Sequence, residues 1–399
     1  MAQIDRRPAS GNRSFGKPSW MGALPGAALL AIAITQAQAA DHRVAAQDPS
    51  GKPAAAGIAP SYAPPVRRAS PQQLAAERIL EAQIRALGQA FHGDIGIAVK
   101  DVETGWSTAY DGNTFFPQQS VSKFWVALTA LDRADRGELS LNRPVTVTKA
   151  DMTLFHQPIA AQLGANGYST TVGELMTRAL QQSDNTCNDF VLWKAGGPEA
   201  VRSFLRDKGI SGIRFGPGER LLQSQIAGIE WKQAYAYNGG FYKARDALPL
   251  SARRAAFERY IASPMDGATP LGVVDALARL KRGELLSPES TQRLLGIMSN
   301  TKTGPQRLKG GLAPGWRLSH KTGTGQVLGG VQAGYNDIGI VTAPDGHSYA
   351  VAVLIRRTSA PLGERMAAMQ NTVRSVISYH QNVEGYGIAR YGIGEAGSR

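Results

Sequence analysis

The sequence predicts an α+β fold in which one antiparallel sheet is flanked by helices and interrupted by an inserted, mainly helical subdomain. Ile95, Ile97 and Val99 alternate as on a strand with one covered face, and further strand patterns ("WRLSHKTG", "SYAVAVLI") follow near the other end of the chain. Residues from about 120 to 300 instead show helical periodicity and loops. Strands from the two ends must therefore pair with each other, and we expect a cleft between the sheet and the helical part.

The individual elements carry start and turn signals. Ser70-Pro71 combines a helix cap with a proline at the first helical position, and apolar residues recur on one face of the helix that follows. A Thr-Gly turn separates the first strand from "WSTAY", which predicts an antiparallel hairpin. Ser287-Pro288 begins another capped helix, and an apolar stripe over residues 366–377 predicts a closing helix.

The two ends of the chain are expected to lie outside the folded domain. Residues 1–39 combine early basic residues, an apolar stretch ("MGALPGAALLAIAIT") and the small residues "AQA", which is the pattern of a cleaved signal peptide. Residues 40–69 are rich in Ala and Pro and predict a flexible linker, and the glycine-rich residues 381–399 predict a flexible tail. Residues 70–380 remain as the folded domain. We expect a periplasmic or secreted protein with no stable membrane span after signal removal.

Composition argues against several classes of function. The formal net charge is +13, but no long Lys/Arg run or aromatic-interleaved basic motif occurs, so we expect no nucleic-acid partner. The six histidines have no ligand spacing, so we expect no metal and no other cofactor. Cys187 is the only cysteine, which excludes an internal disulfide and is typical of a small packed residue. We expect a monomer.

The tripeptide Lys-Thr-Gly occurs twice, at residues 302–304 and 321–323, and its surroundings distinguish the two copies. The first follows an apolar helical run and precedes Pro305, which predicts a helix end. The second follows Leu318 and His320, spaced as on a strand, and is trailed by glycines. We therefore expect the second copy on a strand whose backbone is closely approached.

Two further short motifs contain groups suited to nucleophilic catalysis. Ser120 and Lys123 lie three residues apart at the start of an apolar helical run, so they share one helix face, and a buried amine can take the proton of the serine. Ser183-Asp184-Asn185 adds a second hydroxyl and an amide that could hold a substrate carbonyl. Each motif alone is better explained by a helix cap or a polar turn. Together with the second Lys-Thr-Gly copy, in this order, they are far more specific.

In these motifs the sequence resembles the penicillin-recognising serine enzymes, and the class A serine β-lactamases in particular. The resemblance runs from about Ser70 to about His380 and extends to segments outside the motifs, such as "GATPLGVVDALARLKRGELLS". It implies a β-lactamase/transpeptidase-like fold and a serine hydrolase that opens β-lactam rings through a covalent acyl-enzyme at Ser120, without a metal. The implied partner is a small-molecule β-lactam, and the implied biological role is antibiotic resistance or β-lactam catabolism.

The resemblance also implies a role for each matching residue. Ser120 would be the acylated nucleophile, Lys123 its base or proton relay, and Ser183 would pass a proton to the β-lactam nitrogen. Asn185 would hold the side-chain amide of the substrate, and the backbone N–H groups of Ser120 and Thr324 would form the oxyanion hole. The other residues implied in substrate binding are Lys321, Thr322 and Gly323 of the second Lys-Thr-Gly copy, the aromatic Phe155, and Arg307.

Release of the acyl group requires a glutamate and a neighbouring amide that activate water, and at this step the match is weaker. The Glu-x-x-Leu-Asn loop of the family is closest to "ERLLQ" at residues 219–223, so Glu219 would be the base and Gln223 replaces the asparagine. An insertion over residues 224–268 follows, some tens of residues longer than the corresponding family segment. It leaves Glu230 as a second candidate base.

Three functions therefore remain open. A positioned Glu219 predicts a β-lactamase. A displaced one predicts slow deacylation, as in a penicillin-binding or DD-peptidase-like protein, or in another envelope amide or ester hydrolase. The third is a non-catalytic envelope-binding protein that keeps the fold, and the intact set of Ser120, Lys123, Ser183 and Lys321 argues against it.

The two tripeptide copies can be tested against each other. We expect Lys321→Ala to slow acylation by a β-lactam far more than Lys302→Ala, because only the second copy belongs to the motif set. The rate at which the covalent adduct appears by mass spectrometry measures the difference. Equal effects would overturn the assignment.

Overall fold

Strands from the two ends of the chain form one antiparallel sheet, which confirms the predicted fold class. The computed structural model describes residues 69–391, so the predicted signal peptide, the linker up to residue 68 and residues 392–399 lie outside the described part. Within it the strands are β1 (Asp94–Asp101), β2 (Ser107–Tyr110), β3 (Phe116–Pro117), β4 (Pro144–Val147), β5 (Tyr168–Thr171), β6 (Gly267–Ala268), β7 (Arg317–Thr324), β8 (Val327–Leu328), β9 (Val331–Ala333), β10 (Tyr335–Thr342) and β11 (Ser348–Thr358). The main sheet has the order β2-β1-β11-β10-β7, with β9 paired to β11 and β8 to β9.

Helices cover the sheet and form the inserted part. In the described range they are α1 (Pro71–Ala90), α2 (Lys123–Asp135), α3 (Val172–Gln181), α4 (Asn185–Lys194), α5 (Gly197–Asp207), α6 (Glu219–Ala227), α7 (Gly240–Asp246), α8 (Leu250–Ala262), α9 (Pro270–Lys281), α10 (Pro288–Ser299) and α11 (Leu362–Tyr391). The predicted caps are present: the Ser70 and Ser287 side chains accept hydrogen bonds from backbone N–H groups in the first turns of α1 and α10. None of these helices is apolar over a length sufficient to cross a membrane.

Both faces of the sheet are buried, and the alternation of side chains along its strands decides what covers each face. In β1, Ile97 and Val99 pack with α1 and α11, whereas Ala98 belongs to the core on the opposite face. In β11, Val351 lies on the same face as Ile97 and Val99, and Ala352 lies on the same face as Ala98. The small alanines let α9 approach this second face closely.

The closing helix is longer than predicted. The sequence suggested a loose segment from residue 381, but α11 continues to Tyr391, so residues 381–391 are helical. Val373 and Val376 on the predicted apolar stripe are fully buried against the sheet. The packed first half of the helix provides a template on which the remaining turns add one hydrogen bond per residue.

The inserted part is built around α2, whose residues from Lys123 to Asp132 are all buried. Helices α3, α4, α5 and α10 contact it, which explains why α2 is buried on every side. The consequence for the site is that the start of α2 is held rigidly at the edge of the cleft.

The insertion at residues 224–268 forms α7, α8 and short turns. Helix α8 packs on α6 through Phe257 and Ile261, and the chain returns to the body of the protein where β6 pairs with β3. At the return point Asp266 accepts hydrogen bonds from the backbone N–H of Gln119 (2.7 Å) and from the Tyr260 hydroxyl (3.0 Å). The insertion is therefore tied to the residue that precedes Ser120.

Asp266 makes stability depend on pH. Burial raises the pKa of Asp266 from its ordinary value of 3.8 to about 6, so the folded state binds the proton more tightly than the unfolded chain. The resulting stabilisation is complete below pH 3.8 and is lost as the pH rises towards 6. We expect the free energy of unfolding of Asp266→Asn, relative to the parent protein, to improve by about 1–3 kcal/mol between pH 4 and pH 7.

Urea unfolding of both proteins at the two pH values measures this difference. The exposed Asp246→Asn, in the same insertion, is the control and should show no comparable trend. A relative stability of Asp266→Asn that is constant with pH, or that falls, would contradict the assignment.

Candidate active site

Ser120 lies on a 3₁₀ turn, Gln119–Ser122, that leads directly into α2. The Lys123 Nζ atom is 2.8 Å from Ser120 Oγ, so the predicted sharing of one face is confirmed. Lys123 is only 1% exposed, and its ammonium group also contacts a carboxylate oxygen of Glu219. A hydroxyl beside an amine that itself contacts a carboxylate is the arrangement in which a serine can lose its proton.

Glu219 begins α6, and the carboxylate of Asp189 in α4 fixes this helix start. Asp189 Oδ1 accepts a hydrogen bond from the Glu219 backbone N–H at 2.9 Å. One turn later, Gln223 Nε2 lies 3.4 Å from Glu219 Oε2 and 2.9 Å from Gln119 Oε1. The carboxylate and the amide predicted from "ERLLQ" are thus adjacent to each other, and they contact Lys123 and Gln119, which lie on either side of Ser120 in the chain. Glu230 is exposed beyond the end of α6 and does not line the cleft.

Ser183 and Lys321 meet across the cleft. Ser183 has a positive φ of 60° at the bend before α4, and its Oγ accepts a hydrogen bond from Lys321 Nζ at 2.9 Å. Burial, followed by the positive charge of Lys123, holds the pKa of Lys321 well below its ordinary value. The two motifs separated by more than a hundred residues therefore form one polar cluster.

The second Lys-Thr-Gly copy lies at the end of β7, as predicted, and Gly323 is its point of closest approach. A Cβ atom at Gly323 would lie 2.3 Å from the Gln118 carbonyl oxygen, so only glycine allows the strand to approach the turn that carries Ser120. This contact brings Thr322 and Thr324 alongside Ser120.

Arg307 packs against the same strand end. Its guanidinium donates hydrogen bonds to the carbonyl oxygens of Gly323 (2.9 Å) and Asn336 (2.7 Å) and to Thr324 Oγ1 (2.5 Å). Its Cζ atom also lies 3.8 Å from the centre of the Tyr335 ring. The arginine is therefore a buried support of the strand as well as a source of positive charge at the cleft.

Asn185 and Phe155 lie on the opposite wall. The Asn185 side-chain amide donates to the Leu154 carbonyl at 2.9 Å, and its backbone N–H donates to His156. Phe155, between these two partners, has a positive φ of 61°. The loop that carries the aromatic residue is thus held by the first turn of α4.

The cleft enclosed by these elements has a volume of about 550 Å³. Its lining includes the predicted residues Ser120, Phe155, Ser183, Asn185, Arg307, Thr322 and Thr324. Lys123, Glu219 and Lys321 are buried behind this surface, where they contact the lining hydroxyl groups or one another.

Several lining residues escaped the sequence analysis. Thr303 belongs to the first Lys-Thr-Gly copy, which does follow the end of α10, yet its hydroxyl lies 2.6 Å from that of Thr322. Gln326 donates to the Gln223 side chain, and Tyr242 and Arg245 enter the cleft from the insertion. Only the repeated tripeptide offered a signal in the sequence, since the other contacts join segments that are far apart in the chain.

The histidines are less scattered in space than in sequence. Among the described residues, His347 lies with two carboxylates, its Nε2 being 3.0 Å from Asp101 and 3.2 Å from Glu103. These residues lie at the end of the sheet where β7 begins, and none of them lines the cleft.

Comparisons with known proteins agree with this geometry. A family model described as the beta-lactamase enzyme family matches residues 78–379. Beta-lactamase VEB-1 from Pseudomonas aeruginosa is 26% identical over 277 residues, which cover 69% of this chain and 82% of the relative. Extended-spectrum beta-lactamase PER-1, from the same organism, is 27% identical over 282 residues, covering 70% and 80%.

Solved structures give the same result. The ancestral GNCA class A beta-lactamase is 30% identical with a TM-score of 0.61, and the match covers 75% of this chain and 99% of that one. The TLA-3 extended-spectrum beta-lactamase is 25% identical with a TM-score of 0.62, covering 75% and 98%. Since the family model matches more than half of the chain, the chain belongs to the beta-lactamase enzyme family and has the fold of its class A members.

Proposed function

We propose that the protein hydrolyses β-lactams through a covalent acyl-enzyme at Ser120, followed by attack of water. The observation that carries the proposal is a chain of two contacts: the buried Lys123 side-chain nitrogen contacts the Ser120 hydroxyl on one side and the Glu219 carboxylate on the other. Such a relay activates a serine that is otherwise a weak nucleophile. Family membership and the intact motif set support the same reaction.

In acylation, the Lys123 ammonium first passes a proton to the Glu219 carboxylate that it contacts. The neutral amine then takes the Ser120 hydroxyl proton while Ser120 Oγ attacks the β-lactam carbonyl carbon. The backbone N–H groups of Ser120 and Thr324 stabilise the oxyanion that develops. When the ring C–N bond breaks, the nitrogen receives a proton from the Ser183 hydroxyl, which Lys321 contacts at 2.9 Å. The proton that Lys123 took from Ser120 replaces the one that Ser183 gives up, and Glu219 returns its proton to Lys123. The product of this step is an ester on Ser120.

In deacylation, the Glu219 carboxylate takes a proton from a water molecule that attacks the ester carbonyl carbon. As the ester C–O bond breaks, this proton passes to Ser120 Oγ, which releases the opened β-lactam and restores the serine hydroxyl. Gln223 supplies the amide that holds this water, in the role that asparagine has in the resembling loop. The proposal is supported by the burial of Glu219 and by the contact of 3.4 Å between its carboxylate and Gln223 Nε2. A positioned carboxylate base typically contributes about 100-fold or more to such a step.

The orientation of the substrate follows from the positive charge at one end of the cleft and the amide and aromatic groups at the other. The β-lactam carboxylate would bind to Thr322 and Thr324, where Lys321 and Arg307 provide positive charge. The side-chain amide of the substrate would contact Asn185, with Phe155 beside it. This orientation directs the carbonyl carbon towards Ser120.

We also propose that the protein is exported and acts as a monomer in the periplasm or outside the cell. The supporting feature is the basic and then apolar pattern of residues 1–39, followed by small residues. In this location the protein would meet β-lactams outside the cytoplasm, which fits a role in antibiotic resistance.

Intact-protein mass spectrometry during incubation with benzylpenicillin tests the reaction. We expect rapid substrate loss with only transient acylation of the native protein, and no adduct on Ser120→Ala. In Glu219→Ala the adduct should persist, with deacylation slowed by about 100-fold or more, because the base is missing. Glu230→Ala is the matched control and should behave as the native protein.

The other outcomes distinguish the remaining functions. A stable adduct on the native protein would indicate a penicillin-binding protein or another slow hydrolase. No adduct and no substrate loss would mean that the motifs serve a different substrate or none.

A further inference from the structure

Among the residues that the structure describes, the charged ones that line the cleft are two arginines, and none of the lining residues is a carboxylate. Arg307 supports the strand end that would bind the β-lactam carboxylate. Arg245 is different, because it comes from α7 in the insertion and takes no part in the contacts around Ser120. The cleft therefore contains a second cation that the contacts around Ser120 do not use.

Aromatic packing holds α7 against the wall that carries Phe155. The Phe155 ring centre lies 4.8 Å from that of Phe241 and 5.9 Å from that of Tyr242. Hydrogen bonds reinforce the contact: Gln157 Nε2 donates to the Ala236 carbonyl at 3.3 Å, and Gln233 Nε2 to the Met152 carbonyl at 3.0 Å. The insertion therefore forms a packed wall of the cleft on this side.

This wall adjoins Asn185, the residue proposed to hold the side-chain amide of a β-lactam. Asn185 bonds to Leu154 and His156 on either side of Phe155, and Phe155 in turn packs on α7. Substituents beyond the substrate amide would consequently extend towards Tyr242 and Arg245. The carboxylate of the β-lactam nucleus would lie at the other end, at β7.

The charge of Arg245 is only partly compensated within the protein. Its guanidinium lies 2.9 Å from Asp246, but the same carboxylate oxygen is 3.2 Å from Arg253, so one negative charge is shared by two cations. The Arg245 side chain is 22% exposed, and its Cζ atom lies 5.0 Å from the Tyr242 ring centre. A half-buried guanidinium stacked on an aromatic ring is well suited to bind a carboxylate or a similar anion.

We infer that Arg245 and Tyr242 form a subsite for an anionic substituent on the acyl side chain of a β-lactam. The inference rests on the proposed β-lactam substrate and makes it more specific: the preferred substrates carry two negative charges, one bound at each end of the cleft. Arg245 acts on substrate binding and has no role in proton transfer.

Two penicillins that differ by one carboxylate test the subsite. Carbenicillin is benzylpenicillin with an added carboxylate on the acyl side chain, so the ratio of their kcat/KM values isolates the contribution of the second charge. We expect Arg245→Gln to lower the carbenicillin-to-benzylpenicillin ratio about tenfold, chiefly through KM. Arg245→Lys should retain most of the ratio, and the exposed Arg254→Gln, in the neighbouring helix, is the matched control.

A second variant, which should change the ratio in the opposite direction, distinguishes loss of the subsite from misfolding. Asp246→Asn removes the carboxylate that competes for Arg245, so the ratio should rise. Added NaCl should lower the ratio of the parent protein, since salt screens a partly exposed charge pair. A ratio that is unaffected by Arg245→Gln and Asp246→Asn would overturn the inference.

Binding to Ser120→Ala separates this inference from the proposed reaction. Isothermal titration with each penicillin should give tighter binding of carbenicillin, and the additional Arg245→Gln substitution should remove that advantage. If the parent protein hydrolysed neither penicillin, the proposed reaction would be disproved. Equal affinities with and without Arg245 would disprove the subsite, whether or not the protein hydrolyses β-lactams.

Discussion

The rest of the cleft depends on one constraint: the ammonium group of Lys123 is almost completely buried and must be compensated there. An uncompensated charge in the interior costs several kcal/mol, so the Glu219 carboxylate has to reach it. That requirement brings the start of α6 against the start of α2. The start of α6 is held by Asp189 of α4, which accepts a hydrogen bond from the Glu219 backbone N–H. Burial and the nearby Glu219 charge raise the pKa of Asp189 to about 6, so the ionised form of this carboxylate is electrostatically unfavourable here.

A second buried cation changes what the cleft can bind. Within residues 69–391, the hydrogen-bond partners of Lys321 are the Ser183 hydroxyl and the Thr322 carbonyl oxygen, and neither is a carboxylate. Its pKa is lowered because water is excluded and Lys123 is close. An anionic ligand at the end of β7 would favour the protonated, charged form of Lys321. The arginines of the cleft lining favour anionic ligands at both of its ends.

Much of this arrangement was predictable from local patterns. The caps at Ser70 and Ser287, the hairpin of β1 and β2, and the strand that carries Lys321 all agree with the structure. These features depend on residues a few positions apart, so short-range propensity and periodicity are sufficient to predict them. The continuation of α11 beyond residue 380 was missed, because its glycine-rich sequence has a weak local preference that packing of the preceding turns overrides.

The sequence by itself specified the order of strands and helices and the motif set around Ser120, because both depend on residue types that lie a few positions apart. Whether Glu219 would reach Lys123, and whether Arg245 would face the cleft, could not be predicted in the same way. These contacts join segments separated by a long, irregular stretch of chain, and they form only when whole elements pack and buried charges find partners. The insertion shows the difference most clearly, since its sequence indicated only that it is longer than the family segment. Its docking on Phe155 and α6 makes it a wall of the site.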